Sequence, residues 1–164
     1  MRSSSSLSRS LGFSLVELMV TVTIMLALTG GGIAGYLNLR SRQNLVNAGK
    51  EVEQLLRSAQ KKARVGDKPS GCTGALTGYR VSTISGPTRV ILEARCATNS
   101  QNVQIYTIPS GVTLTTFSTM TFAGLHGGVV GAGTVLLTSS SPSYSYQFSV
   151  NPGGNISEPV ITRN

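Results

Sequence analysis

The chain has 164 residues, a formal net charge of +8 from 14 basic against 6 acidic side chains, 19 glycines, two cysteines and no tryptophan. That length leaves room for an N-terminal segment and one compact domain of about 100 residues, not two. An apolar share of 40%, with short β-branched runs between polar residues, excludes a disordered or collagen-like chain, and the basic balance favours polyanions as partners: lipid headgroups, cell-wall polymers or nucleic acid.

Residues 1–12 are Ser-rich and basic through Arg2 and Arg9. From Phe13 to Leu37 the chain is apolar over a length that suits a tilted transmembrane helix, and it carries a single charge, Glu17. An ionised carboxylate in hydrocarbon costs roughly 2.5 kcal/mol or more, so its retention calls for a partner. The competing reading is a secretory signal peptide cut after Ala34, leaving Gly35 first. The length of the run, its internal glycines and Glu17 all oppose it. Arg40, Arg42 and Lys50 outnumber Arg2 and Arg9, so charge asymmetry does not set an orientation. Gly30-Gly31-Gly32, with Gly35 soon after, each cost a helix about 1 kcal/mol relative to Ala. The segment is expected to bend or melt there, or to use the small residues for close helix packing.

Gly12-Phe13-Ser14-Leu15-Val16-Glu17-Leu18, after a short basic leader and before an apolar run, resembles the N-terminus of prepilins, the precursors of type IV pilins and type II secretion pseudopilins. The resemblance implies cleavage between Gly12 and Phe13 by a prepilin peptidase, N-methylation of Phe13, and Glu17 as the assembly residue. It also implies a subunit held in the inner (cytoplasmic) membrane with its C-terminal domain outside the cytoplasm. The implied partners are other pilins in a helical filament and an inner-membrane assembly platform. Cleavage would place a new amine at a helix N-terminus, where the helix dipole disfavours it and favours Glu17 one turn on. Removing Arg2 and Arg9 with the leader leaves twelve basic residues against six acidic, a net +6.

Residues 38–68 are predicted to continue the helix in amphipathic form. Leu45, Ala48, Val52, Leu55, Leu56, Ala59 and Ala63 recur at three- and four-residue spacing and make one apolar face. At 100° per residue Lys50, Arg57, Lys61, Arg64 and Lys68 form a stripe on the other face, with Glu53 four residues ahead of Arg57. The stripe is a solvated face, a polyanion contact through Arg57, Lys61, Arg64 and Lys68, or a docking surface for acidic neighbours in a filament. Glycine and proline between Gly66 and Gly71 end the helix.

Residues 69–164 read as a β domain. Cys72 and Cys96 lie in this exported part, and their even number argues for one disulfide, closing a loop of about 25 residues and contributing roughly 3 kcal/mol; two free apolar thiols are the alternative. Zinc ligation is opposed by the spacing and by the single histidine, His126. Strands are expected at Tyr79–Thr83, Arg89–Cys96, Val103–Ile108, Val112–Phe117, Gly133–Thr138 and Tyr144–Val150. The fold class is α+β: a long N-terminal helix, transmembrane then amphipathic, packed on a C-terminal antiparallel β domain in pilin-like fashion.

Met120-Thr121-Phe122-Ala123-Gly124, a glycine-rich turn, the strand Thr134–Thr138, then Tyr146-Gln147-Phe148-Ser149-Val150 leading to Gly153-Gly154-Asn155-Ile156, resembles the tail of the GspH/FimT minor pilin domain. That resemblance implies a minor subunit priming assembly near the tip of a type II secretion pseudopilus or a type IV pilus. Some pilus members of the family bind DNA for uptake through a basic Gly-Arg-x-Arg motif. This chain instead has Gly154-Asn155-Ile156-Ser157-Glu158, with Arg163 alone basic beyond it, so nucleic acid is an alternative partner and not the favoured one.

Enzymatic chemistry needs converging titratable groups. His126 sits in a glycine-rich turn without a nearby acid, while Glu51, Glu53, Asp67, Glu93 and Glu158 are scattered, and no phosphate loop or nucleophile elbow appears. The expectation is a structural subunit without catalytic residues, metal or cofactor.

Overall fold

The computed structural model describes residues 13–84, 86–124, 128–140 and 143–163, with side chains at 30–32, 34 and 87 left aside. The leader, Gly12 and His126 therefore lie outside the described residues. By contacts the chain divides into two units, 1–37 and 38–164.

Helix α1 runs Leu15–Val65. The melting expected at Gly30–Gly32 does not occur, because the helical backbone continues through them. A cost of about 1 kcal/mol per glycine does not outweigh propagation from strong helix formers on both sides. In the first unit the apolar side chains are exposed, from Val22 at 46% to Phe13 at 74%. Among the described residues no helix is long and apolar enough to cross a membrane. The stretch 15–29 before the glycines measures about 22 Å, against a hydrocarbon core of about 30 Å.

In the second unit the amphipathic reading holds residue by residue: Leu45, Ala48, Val52, Leu55, Leu56, Ala59 and Ala63 are all 0–2% exposed. The helix ends at Val65, three residues before the expected limit. Gly66, at φ 64°, donates its N–H to the Ala63 carbonyl (3.4 Å), and Asp67 donates to that of Lys62 (3.0 Å). Those paired bonds around a left-handed glycine close a Schellman motif and satisfy carbonyls that the helix end would leave open.

Nine antiparallel strands follow among the described residues: β1 (Leu76–Ile84), β2 (Arg89–Cys96), β3 (Ser100–Thr107), β4 (Val112–Thr116), β5 (Met120–Ala123), β6 (Val129–Val130), β7 (Gly133–Ser139), β8 (Tyr144–Val150) and β9 (Val160–Arg163). They form a five-stranded sheet in the order β3-β2-β1-β5-β6 and a four-stranded sheet in the order β4-β7-β8-β9. The buried face of α1 shares one core with Tyr79, Val81, Val90, Leu92 and Ala94 of the first sheet and with Val135, Leu137, Tyr146 and Phe148 of the second. Each large apolar side chain buried there contributes about 1.5–3 kcal/mol. On β8 Tyr146, Phe148 and Val150 are buried and Tyr144 half-buried, but Ser145 is buried too, and in β2 Ile91 is buried along with Val90 and Leu92. Strands β5, β6 and β9 escaped the sequence reading because none exceeds four residues, too short for a period of two to declare itself.

Candidate functional site

The start of α1 is built for one exposed acid. The Leu18 N–H donates to the Ser14 carbonyl at 3.1 Å, which makes Ser14 the N-cap and sets Glu17 in the first turn, where the helix dipole favours a carboxylate. Polar groups further along are satisfied within the helix. Thr21 donates its hydroxyl to the Leu18 carbonyl (3.0 Å), Thr23 to Met19 (2.8 Å) and Thr29 to Met25 (2.7 Å). Such back-bonding lets a hydroxyl sit in an apolar surrounding without an outside partner. Glu17 is the exception: it is exposed, is the sole charge between Phe13 and Leu37, and makes no ion pair among the described residues. Phe13, four residues away and 74% exposed, sits just before the helix.

The basic stripe is less uniform than its 100° spacing suggests. Arg57 is held by Glu53, with Nε at 3.0 Å and Nη2 at 2.6 Å from one carboxylate oxygen. The Tyr146 hydroxyl donates to the other oxygen of Glu53 at 3.4 Å. Burial first, then the Glu53 charge and that hydrogen bond, push the Tyr146 phenol up to about 12. Lys61 and Arg64 are exposed on α1 without an ion pair among the described residues. Lys68 is not on the helix at all, because the Gly66 turn intervenes; it borders a groove with Leu76, Thr77 and Gly124. The neighbouring Lys62, which the sequence reading passed over, pairs with Asp67 at 2.6 Å, and that hydrogen bond raises its pKa.

Cys72 and Cys96 are joined in a disulfide that ties the turn after α1 to the end of β2, with Cα atoms 5.7 Å apart. Asn99 reinforces the junction, accepting from the Thr73 N–H (3.0 Å) and donating to the Gly71 carbonyl (2.9 Å). The acids near the domain do not converge: Glu93 pairs with Arg80, whose Nε lies 2.8 Å away, while Glu53 and Asp67 are engaged as described. Among the described residues no three His, Cys, Asp or Glu side chains gather as metal ligands would.

Three contacts that place the helix on the β domain were not read from the sequence. Gly49 lies flat against the Tyr146 ring, closely enough that a Cβ there would overlap ring carbons. A glycine on the apolar face, one position after buried Ala48, was the available signal of a close approach. The Ser41 and Ser139 hydroxyls lie 2.6 Å apart, and Gln60 donates to the Gly154 carbonyl at 2.9 Å. No sequence pattern announces such pairs, which meet across more than ninety intervening residues.

Residues 7–33 match the family model of the prokaryotic N-terminal methylation motif. No curated protein and no solved structure matches the chain. The matched segment brackets Gly12, Phe13 and Glu17, so the chain carries a type IV pilin-like N-terminal signal. The motif implies processing by a prepilin peptidase, a membrane-anchored N-terminus and assembly with other pilins.

Proposed function

We propose that the chain is a minor pilin or pseudopilin of the GspH/FimT kind, cut between Gly12 and Phe13 and methylated on Phe13. Residues 13–37 hold it once through the inner (cytoplasmic) membrane, the domain lies outside the cytoplasm, and the assembly platform draws it into a type IV pilus or a type II secretion pseudopilus near the tip. The observation that carries this reading is Glu17: the sole charge of the apolar segment, unpaired among the described residues, inside the stretch that matches the methylation motif. Spanning requires the glycines and the residues up to Leu37 to be counted, about 37 Å of helix in all. Cleavage creates an amine at Phe13. A neighbouring subunit's amine then meets Glu17 and turns an unpaired charge in an apolar layer into a device that fixes register.

The reading is tested by Glu17→Ala in cells that assemble filaments. Cleavage should stay intact while incorporation into sheared filaments falls sharply; normal incorporation contradicts the assigned role. The alternative, DNA capture by the helix stripe, rests on exposed Lys61 and Arg64. It is weakened by the engagement of Arg57 with Glu53, by the position of Lys68 off the helix, and by the missing Gly-Arg-x-Arg motif.

A further inference from the structure

Charge and apolarity meet abruptly just past Leu37. Between Leu18 and Lys50 the chain has no acid; its charges there are Arg40, Arg42 and Lys50. The nearest acid beyond, Glu51, is nine residues from Arg42, about 13 Å along the helix. Tyr36, 63% exposed, stands one turn before Arg40 at the end of the apolar run. An aromatic ring followed by basic residues is the composition of a membrane–water boundary.

The second sheet delivers a third arginine to the same end of the domain. Ser139, Tyr144 and Arg163 lie level across β7, β8 and β9, since Thr138 pairs with Ser145 and Tyr144 with Arg163. Ser139 meets Ser41 of α1 at 2.6 Å, so this row ends beneath the turn that carries Arg40 and Arg42. Ile161, two residues before Arg163 on the same face of β9, closes a groove of about 330 Å³ with Leu39, Arg42 and Val46. Arg163 rests over the Tyr144 ring at 5.9 Å, a contact with an uncharged partner that does not neutralise it. Arg40, Arg42 and Arg163 are all exposed and form no ion pair among the described residues.

We infer that Arg40, Arg42 and Arg163 form a basic collar that seats the domain on the anionic phospholipid headgroups of the membrane in which residues 13–37 are held. The inference rests on the anchoring proposed above. Charge complementarity and continuity with the apolar segment single out the headgroups as the occupant. Arg40 and Arg42 follow Leu37 by about 4.5 and 7.5 Å of helix, which is the depth of the headgroup layer and within the screening length of physiological salt. Basic residues on the far side of the apolar run also oppose the usual loop bias, and an anionic surface gives them a favourable place. The collar holds the domain against the headgroups before assembly, and extraction into a filament breaks the contact.

The test partitions the full-length chain between phosphatidylcholine vesicles and vesicles with about a third phosphatidylglycerol, with Arg2 and Arg9 present in every variant. The wild type should prefer the anionic vesicles, less so as salt rises. Each arginine should contribute about fivefold, so Arg40→Gln/Arg42→Gln loses about twenty-fivefold of the preference and addition of Arg163→Gln about a hundredfold. The double variant touches no core residue and guards against a folding defect, while Lys61→Gln/Arg64→Gln removes equal charge elsewhere and should change nothing. A wild type that distributes equally, or a triple variant that keeps the preference, overturns the collar and leaves the anchoring intact. Failure to associate with either vesicle contradicts the anchoring itself. Loss of affinity for duplex DNA in place of anionic vesicles overturns the collar in favour of a nucleic-acid surface.

Discussion

The two halves of α1 share one secondary structure and opposite surroundings. From Leu15 to Leu37 large apolar residues are exposed, Leu26 at 69% and Leu28 at 72%, whereas Leu45, Val52 and Leu56 in the second half are at 0%. The first half spreads apolar residues round the helix, and a helix hydrophobic all round belongs in lipid or among other helices. The second confines them to one stripe, which a domain of its own chain covers. Helicity is thus common to both, while the angular distribution of apolar residues decides whether the partner is internal or external.

Substitutions that differ between the halves sharpen this contrast, and the largest effect belongs to the covered one. Leu56→Ala should cost the domain about 2–5 kcal/mol in thermal or denaturant unfolding, because it opens a cavity where both sheets meet the helix. Its counterpart in the exposed half, Leu26→Ala, should leave domain unfolding within about 0.5 kcal/mol; a comparable loss from both would erase the distinction. Cys72→Ser/Cys96→Ser should cost roughly 3 kcal/mol, mainly by freeing the unfolded chain. Gly49→Ala should destabilise by about 1–2 kcal/mol despite Ala's better helix propensity, since the new Cβ overlaps the buried Tyr146 ring.

The smallest effect belongs to Glu53, and it is read through a pH dependence in the covered half. The Tyr146 phenol titrates at about 12 in the folded protein and near 10 when unfolded, so the folded state favours the protonated form. Its contribution is complete below about pH 10 and is lost as pH rises through about 12. Glu53→Gln should move the phenolate absorbance transition downward, though not fully to 10 because burial remains the larger cause, and lower stability by less than about 1 kcal/mol through the lost Arg57 pair. An unmoved transition would show that Glu53 does not act on the ring.

Legibility followed the length and the regularity of the pattern. Seven apolar residues from Leu45 to Ala63 named the buried helix face because a period near 3.6 persists there over five turns. The same counting misplaced Lys68, since angles per residue lose meaning once Gly66 turns the chain out of the helix. β2 and β8 were read to their end residues, while the two-residue β6 and the four-residue β9 depend on neighbours that no local pattern names. At the candidate site, Glu17 was legible because a charge in an apolar run is costly wherever it lies. The Arg57–Glu53–Tyr146 chain was legible only in its helical i,i+4 half; its tyrosine comes from β8, ninety-three residues away. Strand pairing and the Ser41–Ser139 contact bring Arg163 to the end of the domain that carries Arg40 and Arg42, which neither spacing nor composition reveals.

The claim on which the rest stands is the cut beside Phe13, and intact mass with N-terminal sequencing of the protein purified from membranes tests it directly. The expected N-terminus is methylated Phe13, with residues 1–12 absent and Glu17 fifth in the mature chain. A mature chain that begins at Gly35 would contradict it, because the acid and most of the exposed half of α1 would have been discarded with a signal peptide.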